Sequence, residues 1–230
     1  MAQQLCREGA AHVILVARDQ QRLEAAVAQL REAAQQDQEA HRPMTDIRGF
    51  PADLCQPDDV ARLATELQAV APVDLLVQAV GMSDRGELKN LAAERLRMLL
   101  DVNVVSSLHA IQYLPTSMAR PATIVLIGSL ACHFAPRYLG GYAIAKHALA
   151  ALAQQSRLEL ADDNIHVMLA SPGPIKRDDA GERYADLAAE SPLPAEALRP
   201  GGGAKVKGLA PERLARDILQ AAQRKKTLVI

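Results

Sequence analysis

Apolar residues along the chain fall into two kinds of segment that alternate. Short strand-like runs occupy residues 12–17, 46–50, 74–80, 122–127 and 165–170, and a last, shorter one begins at residue 227. Apolar residues at helical spacing fill the segments between them, at residues 2–8, 20–35, 57–69, 91–118, 142–160 and 211–223. Strands that alternate with helices predict an α/β fold with a doubly wound parallel sheet.

Length and composition agree with one domain spanning residues 1–230. The chain has 49% hydrophobic residues and a formal net charge of −1, so charge offers no reason to expect nucleic acid or an anionic membrane as partner. No apolar run approaches the ~20 residues of a membrane span, and no signal peptide is visible. Cys6, Cys55 and Cys132 lack the spacing of metal ligands, which predicts no metal site and reduced thiols in a cytoplasmic protein.

The stretch from Ser129 to Lys146 carries the candidate chemistry. Tyr142 and Lys146 are four residues apart on a predicted helix, so they share one face and the ammonium can favour the phenolate. Ser129 follows the strand at 122–127 and can reach the same point. A phenol of lowered pKa beside a hydroxyl can move a proton on or off a carbonyl or an alcohol. The spacing of Tyr142 and Lys146 alone is equally compatible with a half-buried tyrosine beside a solvated lysine that has no catalytic role. Ser129 at the strand end favours the catalytic interpretation.

This Ser, Tyr and Lys spacing resembles that of the short-chain dehydrogenase/reductase family, and the resemblance covers nearly the whole chain. It implies a Rossmann-type fold and interconversion of a ketone and a secondary alcohol by hydride transfer. Tyr142 would be the general acid/base, Lys146 would tune it and hold the nicotinamide ribose, and Ser129 would orient the carbonyl. Asn103 matches the position that supports a water relay, although an asparagine satisfied by neighbouring backbone is the alternative.

The resemblance also implies a nicotinamide cofactor with contacts at the strand ends. Asp53 and Leu54 lie in an A-D-L setting similar to the adenine position, and a helix N-cap or turn is the alternative role of Asp53. Arg18 stands where the family contacts the adenosine ribose, and Ala17 replaces the acid usual in NAD-preferring members. A guanidinium can pair with a 2′-phosphate, so NADP(H) is preferred over NAD(H), with a plain surface arginine as the alternative.

Nicotinamide-side contacts are implied for the residues that follow the later strands. Gly81 permits close backbone approach to the cofactor. Pro172, Gly173 and Ile175 belong to a P-G-P-I segment similar to the one that lies along the nicotinamide in the family. Tyr142 and Lys146 complete the implied cofactor-binding set.

Two features depart from the family pattern. The chain begins with the helix at 2–8, without the first strand and the T-G-x-x-x-G-x-G turn that precede it in the family, so two unpaired strand edges inside the sheet are expected. A misassigned start, a fragment or a degenerate relative would each explain this, and the first two are favoured. Gln78-Ala79-Val80-Gly81 also replaces the family's N-N-A-G. These departures support an alternative function, a non-catalytic Rossmann-like binding or regulatory protein.

Residues 176–208 are polar and contain glycine and proline, which is typical of a substrate lid inserted beside an active face. The glycines at 201–203 follow no strand and therefore indicate a loop instead of a phosphate site. The partner expected from the resemblance is a small carbonyl or alcohol, within a homodimer or homotetramer.

Overall fold

The computed structural model describes residues 1–37, 44–176, 193–194, 197 and 208–229. The strands are β1 (His12–Ala17), β2 (Asp46–Pro51), β3 (Val73–Gln78), β4 (Met118–Ile127), β5 (Ile165–Ala170) and β6 (Leu228–Val229). The helices are α1 (Ala2–Arg7), α2 (Gln20–Gln36), α3 (Pro57–Gln68), α4 (Ala93–Leu100), α5 (Ser106–Tyr113), α6 (Gly140–Glu159) and α7 (Pro211–Gln223). Short 3₁₀ helices cover Leu88–Asn90, Leu114–Ser117 and Leu130–Cys132.

All strand pairs in these ranges are parallel, as the alternation of strands and helices predicted. β1 pairs with β2 in one sheet, and a second sheet has the order β3-β4-β5-β6. In the described part of the chain, β1 and β3 each pair on one side only. This agrees with the expectation of two unpaired strand edges inside the Rossmann-type arrangement.

The second sheet is covered on both faces, which makes the fold doubly wound. Ile124 and Val167 on one face pack against Leu149 of α6, and all three are buried. Met168 on the opposite face packs against Ile218 of α7. Successive side chains of a strand point to opposite faces, so the continuous apolar runs of β4 and β5 supply both layers of the core. No helix within the described ranges is both long and apolar enough to cross a membrane.

The single helix predicted over residues 91–118 is wrong in its extent. α4 passes into a π-helical turn at Asp101–Val105 and then into α5. The helical segment finishes as the 3₁₀ turn Leu114–Ser117, and Met118 already belongs to β4. Pro115 lacks a backbone N–H and cannot continue an α-helical hydrogen-bond ladder, which accounts for the change of geometry there.

Gln78 ties the end of β3 to the helical layer. The residue is buried, and its Nε2 donates a hydrogen bond to Ser106 Oγ at 3.4 Å. Ser106 Oγ in turn donates to the carbonyl of Val102 at 2.7 Å. The glutamine that departs from the family's N-N-A-G therefore makes its own link between sheet and helix.

We expect Gln78→Ala to lower the free energy of unfolding by about 1–3 kcal/mol, because it removes a buried hydrogen bond and leaves a cavity. Thermal and urea unfolding followed by circular dichroism would measure the loss. Gln21→Ala on the exposed face of α2 is the matched control and should change stability little. Equal stability of the two variants would show that the Gln78 amide does not connect β3 to Ser106.

Candidate active site

Ser129 lies just beyond the carboxyl end of β4, where the sequence predicted it. The preceding Gly128 has no room for a side chain, since a Cβ atom there would lie 2.7 Å from Cys132 Sγ. Ser129 caps the 3₁₀ helix Leu130–Cys132, and its Oγ accepts a hydrogen bond from the Ala131 N–H at 3.2 Å. Its own N–H donates to Cys132 Sγ at 3.4 Å. The short helix therefore holds the Ser129 backbone in one orientation.

Tyr142 and Lys146 lie one turn apart near the start of α6. Lys146 Nζ is 5.7 Å from the centre of the Tyr142 ring. The lysine is only 4% exposed, and its Nζ donates a hydrogen bond to the Ile127 carbonyl at 3.1 Å. Burial lowers the pKa of Lys146 from its ordinary 10.5 to about 8, with Cys132 acting weakly in the opposite direction. The ammonium is thus fixed between the end of β4 and the tyrosine.

Asn103 is fully buried in the π-helical turn that follows α4. Its Nδ2 donates to the carbonyls of Met82 and Leu99, both at 2.9 Å, and its Oδ1 accepts from the Met82 N–H at 3.3 Å. Backbone groups therefore satisfy the amide, as the alternative interpretation of this residue expected. The side chain also fastens the loop that leaves β3, a role that nothing in the sequence pattern indicated.

Gly81 brings Asn103 and Lys146 to one place. A Cβ atom on Gly81 would lie 3.0 Å from Asn103 Oδ1 and 3.4 Å from Lys146 Nζ. Both contacts are closer than most side-chain contacts in proteins are, so the absence of a side chain keeps the space between the asparagine and the lysine open. Gly81, Asn103 and Lys146 therefore form one cluster beside Tyr142.

Arg18, Asp53 and Leu54 lie together at the carboxyl ends of β1 and β2. The Ala52 N–H donates to the Ala17 carbonyl at 3.1 Å, which sets the residues after both strands side by side. Arg18 is exposed and close enough to Cys55 to act on its pKa, which burial and Asp53 together raise to about 11.

Asp53 makes a turn and does not cap α3. Its Oδ1 accepts from the Cys55 N–H at 3.0 Å, and its own N–H donates to Asp59 Oδ2 at 2.8 Å. Gln56 occupies the N-cap position of α3. Of the local roles considered for Asp53, the turn is confirmed and the helix N-cap is wrong.

Pro172 and Gly173 follow β5 and lie against the segment that begins with Ser129. The Leu130 N–H donates to the Pro172 carbonyl at 3.0 Å, and His133 Nε2 lies 3.0 Å from Ser171 Oγ. The parallel pairing of β4 with β5 brings the segments that follow these two strands to the same edge of the sheet. Ile175 lies further out and forms an isolated bridge with Leu209.

The loop after β3 is also fastened to the segment before Tyr142. The Gly86 N–H donates to the Tyr138 carbonyl at 3.0 Å, and Gly86 bridges to Leu139. Tyr138 and Gly140 have positive φ angles of 66° and 43°. A side chain on Gly140 would approach the Gly86 carbonyl to 3.2 Å, so the tight crossing needs glycine there. Sequence reasoning did not identify this crossing.

The structure thus brings Gly81, Asn103 and Lys146 together beside Tyr142, at the end of β4 that Ser129 follows. Arg18, Asp53 and Leu54 lie at the same edge of the first sheet. Cys55 Sγ lies 3.6 Å from the Asp101 carbonyl, which links the two groups through the turn that carries Asn103. Most of the predicted lid, 176–208, lies outside the described residues. Within the described ranges, no group of three or more His, Cys, Asp or Glu side chains could hold a metal ion.

Comparison with known proteins identifies relatives for most of the chain. The family model described as short chain dehydrogenase matches residues 1–187. Dehydrogenase/reductase SDR family protein 7-like of Drosophila melanogaster is 29% identical over 191 residues, which are 79% of this chain and 54% of that protein. Dehydrogenase/reductase SDR family member 2, mitochondrial, of Homo sapiens is 30% identical over 181 residues, 77% of this chain and 61% of that protein. The chain thus spans about half to two thirds of these curated relatives.

Solved structures share the fold. The short-chain dehydrogenase from Sphingobium yanoikuyae in complex with NADPH superposes with a TM-score of 0.74 at 22% identity, covering 100% of this chain and 80% of that one. L-sorbose reductase from Gluconobacter frateurii, complexed with NADPH and L-sorbose, has a TM-score of 0.79 at 21% identity, covering 99% and 86%. Together with the family match over residues 1–187, these findings show that the chain belongs to the short-chain dehydrogenase/reductase family.

Proposed function

We propose that this protein is an NADP(H)-dependent oxidoreductase that interconverts a ketone and a secondary alcohol. The observation that carries the proposal is the cluster of Ser129, Tyr142 and the buried Lys146 at the carboxyl end of β4. Parallel α/β sheets bind their ligands outside this edge of the strands. Burial and Cys132 are the described influences on the Lys146 ammonium, and no carboxylate is among them. A buried lysine of this kind has a cost in stability, which a role in the reaction would explain.

In the direction of reduction, Tyr142 donates its phenolic proton to the carbonyl oxygen of the substrate. Lys146, protonated below a pKa of about 8, stabilises the phenolate that remains. The Ser129 hydroxyl donates a hydrogen bond to the same carbonyl oxygen and orients it. Asn103 keeps the Met82 loop in place beside Lys146, and its Oδ1, which accepts one hydrogen bond from the Met82 N–H, can accept a second from a water that returns the proton.

The described residues fit a nicotinamide cofactor at its two ends. The open space at Gly81, bordered by Asn103 Oδ1 and Lys146 Nζ, suits close backbone approach to a flat ring and its ribose. Lys146 and Tyr142 would hold the nicotinamide ribose. The adenosine end would meet Arg18, Asp53 and Leu54, and the nicotinamide would lie along Pro172, Gly173 and Ile175. When bound, NADPH supplies the hydride for the carbonyl carbon.

Titration of the protein with NADPH and with NADH, followed by nicotinamide fluorescence, tests the cofactor assignment. We expect tighter binding of NADPH, and we expect Arg18→Glu to weaken NADPH binding about tenfold or more, because a carboxylate repels the 2′-phosphate. NADH binding should change much less. Arg22→Glu is the matched control, since Arg22 is a neighbouring exposed arginine paired with Asp19. Equal losses for both cofactors would contradict the preference for NADP(H).

A second candidate function is a non-catalytic binding or regulatory protein. The Gln78-Ala79-Val80-Gly81 segment favours it, because the Gln78 side chain bonds Ser106 at a position where the family pattern has asparagine. Absence of binding for both NADPH and NADH in the titration would support this alternative over the oxidoreductase.

The proposal includes a small carbonyl or alcohol as substrate, a homodimer or homotetramer, and the cytoplasm as the site of action. Exposed apolar side chains support self-association, since Met98 of α4 and Ile144 of α6 are 39% and 40% exposed. The near-neutral net charge agrees with a small-molecule partner.

A further inference from the structure

A buried ion pair fastens the loop that follows β3 to the first turn of α4. Asp84 is 3% exposed, and its Oδ1 accepts two hydrogen bonds from Arg95, one from Nη2 at 2.8 Å and one from Nε at 3.2 Å. A buried carboxylate needs a partner that offsets its lost hydration. The Arg95 guanidinium therefore fixes where Asp84 lies.

The residue that follows Asp84 restricts the loop further. Arg85 is also buried, and its Nη1 donates to the Asp84 carbonyl at 2.7 Å. Its Nε donates to the Ala197 carbonyl at 2.9 Å. The carboxylate and the backbone carbonyl of Asp84 thus both accept hydrogen bonds from guanidinium groups, which limits the freedom of the backbone at this point.

The helical segment that carries Arg95 holds the loop at a second point. Asn103 donates to the Met82 carbonyl at 2.9 Å and accepts from the Met82 N–H at 3.3 Å. Because α4 runs directly into the π-helical turn of Asn103, both attachments lie on one helical body, about 12 Å apart along its axis. The loop between Met82 and Asp84 is therefore fastened to this body at both of its ends.

Gly81, the residue before this fastened segment, lies against the Lys146 ammonium. A Cβ atom on Gly81 would lie 3.4 Å from Lys146 Nζ. Lys146 is 4% exposed, and the titratable groups described around it are Cys132 and Tyr142. The Gly81 backbone thus closes one side of the space around Nζ.

The far end of the loop is fixed to the segment that begins α6. The Gly86 N–H donates to the Tyr138 carbonyl at 3.0 Å, and the Tyr142 N–H donates to the Leu139 carbonyl at 3.0 Å. Movement of the loop away from α4 would therefore be felt on both sides of the candidate site, at Gly81 and at the start of the helix that carries Tyr142.

We propose that Asp84 and Arg95 are positioning residues for the Lys146 ammonium. The pair holds the loop against α4, keeps the Gly81 backbone over Nζ and excludes water from it. Loss of the pair lets the loop move away, hydrates the ammonium and weakens its stabilisation of the Tyr142 phenolate. The consequence for turnover rests on the proposed oxidoreductase function, whereas the closure of the loop over Lys146 does not.

Hydrogen–deuterium exchange of the full chain tests the fastening. We expect Arg95→Met to accelerate exchange at least about tenfold in peptides that contain Met82–Gly86, because it leaves a buried carboxylate without its partner. Arg95→Lys keeps the charge and loses the fork of two donors, so it should give an intermediate rate. The matched control is Arg97→Met, since Arg97 is an exposed arginine of the same helix paired with Glu94, and exchange should match the parent protein.

A second variant changes the same contact from the other side. Asp84→Asn keeps the shape of the side chain and an oxygen acceptor but removes the charge, so it tests the proposal even if Arg95→Met fails to fold. We expect exchange in the Met82–Gly86 peptides to rise about threefold or more, because hydrogen bonds to a charged acceptor are stronger than those to a neutral one.

Acetylation of Lys146 by acetic anhydride, measured by mass spectrometry across a range of pH, tests the effect on the ammonium and needs no turnover. Only the neutral amine reacts, so the midpoint of the pH profile reports the pKa of Lys146, which burial lowers to about 8 in the parent protein. In Arg95→Met we expect the midpoint to move toward the ordinary value of 10.5. The rate at pH 8, relative to its plateau at high pH, should then fall at least about threefold.

This midpoint separates positioning from a merely structural role. A pair that only stabilised α4 would leave the Lys146 midpoint unchanged, as Arg97→Met should. Arg95→Lys should return the midpoint part of the way to the parent value, since its charge still holds Asp84.

Steady-state reduction of a panel of ketones tests the consequence for the reaction. We expect kcat for Arg95→Met to fall about tenfold at pH 7, with partial recovery in Arg95→Lys, because a hydrated ammonium stabilises the phenolate less. An unchanged kcat in a variant whose Lys146 midpoint has moved would contradict the catalytic consequence.

Unchanged exchange in the Met82–Gly86 peptides of both Arg95→Met and Asp84→Asn would overturn the proposal. Faster exchange with an unchanged Lys146 midpoint would also overturn it, because the loop would then not shield the ammonium. If the parent protein reduces no ketone at all, the proposed function fails, and exchange and acetylation still decide whether the ion pair positions the loop over Lys146.

Discussion

Tyr142→Phe is expected to lower ketone reduction by about 10³-fold or more, because the phenol is the proton donor in the proposed reaction. The aromatic ring remains, so its packing beside Ala131, Leu139 and Ala143 is kept. We therefore expect the fold to be kept, and the Kd for NADPH to rise only about severalfold, because the lost hydroxyl is one of several groups that would hold the cofactor. Oxidation of NADPH with a panel of ketones measures the rate, and circular dichroism measures the fold.

Tyr113→Phe is the matched control for this change. Tyr113 ends α5 and makes an edge-to-face contact with His109, with 6.3 Å between the ring centres. The same loss of a hydroxyl there should leave the rate near that of the parent protein. Turnover retained by the Tyr142 variant would remove the tyrosine from its proposed role.

Lys146→Met is expected to lower turnover by about 10²-fold or more and to change how stability depends on pH. The pKa of Lys146 is about 8 in the folded chain and 10.5 in its ordinary environment. Between these values the unfolded chain holds the proton and the folded chain does not. The Lys146 contribution to the free energy of unfolding therefore rises with pH across this window. Below pH 8 the buried ammonium costs about 3 kcal/mol of stability.

Urea unfolding without cofactor, at pH 7 and at pH 9.5, measures this contribution. From pH 7 to pH 9.5, the free energy of unfolding of the parent protein should gain about 2 kcal/mol relative to the Met variant. Lys89→Met is the control, because the Lys89 side chain is 73% exposed and its replacement should leave the pH dependence unchanged. Parallel pH profiles for the parent and the Lys146 variant would contradict a buried ammonium.

The stability cost of Lys146 agrees with a site that is arranged for chemistry. The Ile127 carbonyl accepts one hydrogen bond from Nζ, while burial opposes the charged form. In the proposed reaction this side chain would raise activity at the expense of stability, which is a common relation at catalytic positions.

Much of the fold could be predicted because it depends on local pattern. The bounds predicted for β1, β5 and α7 agree with the structure, since each is a short run with a clear period and clear ends. The helix predicted over 91–118 was wrong because its apolar spacing continues through Asn103 and Pro115, where the backbone changes its hydrogen bonding. The spacing of apolar residues indicates which side chains are buried, but it does not indicate which backbone groups form hydrogen bonds with each other.

In the candidate site, too, short-range features could be predicted from the sequence, whereas contacts between distant segments could not. The positions of Ser129, Tyr142 and Lys146 follow from one strand end and one helical turn, which are short-range features of the chain. The partners of Asn103, His133 and Arg85 lie 21, 38 and 112 residues away, and no local period encodes such contacts.

The sequence by itself determined the parallel α/β architecture, the family and the spacing of the residues proposed to be catalytic, because these depend on periodicity and on the order of segments. Only the tertiary structure decided that Lys146 is buried and that the Asn103 amide is satisfied by the backbone of Met82 and Leu99. Burial and hydrogen bonding between distant segments arise when the layers pack, and they give each side chain its surroundings and its pKa.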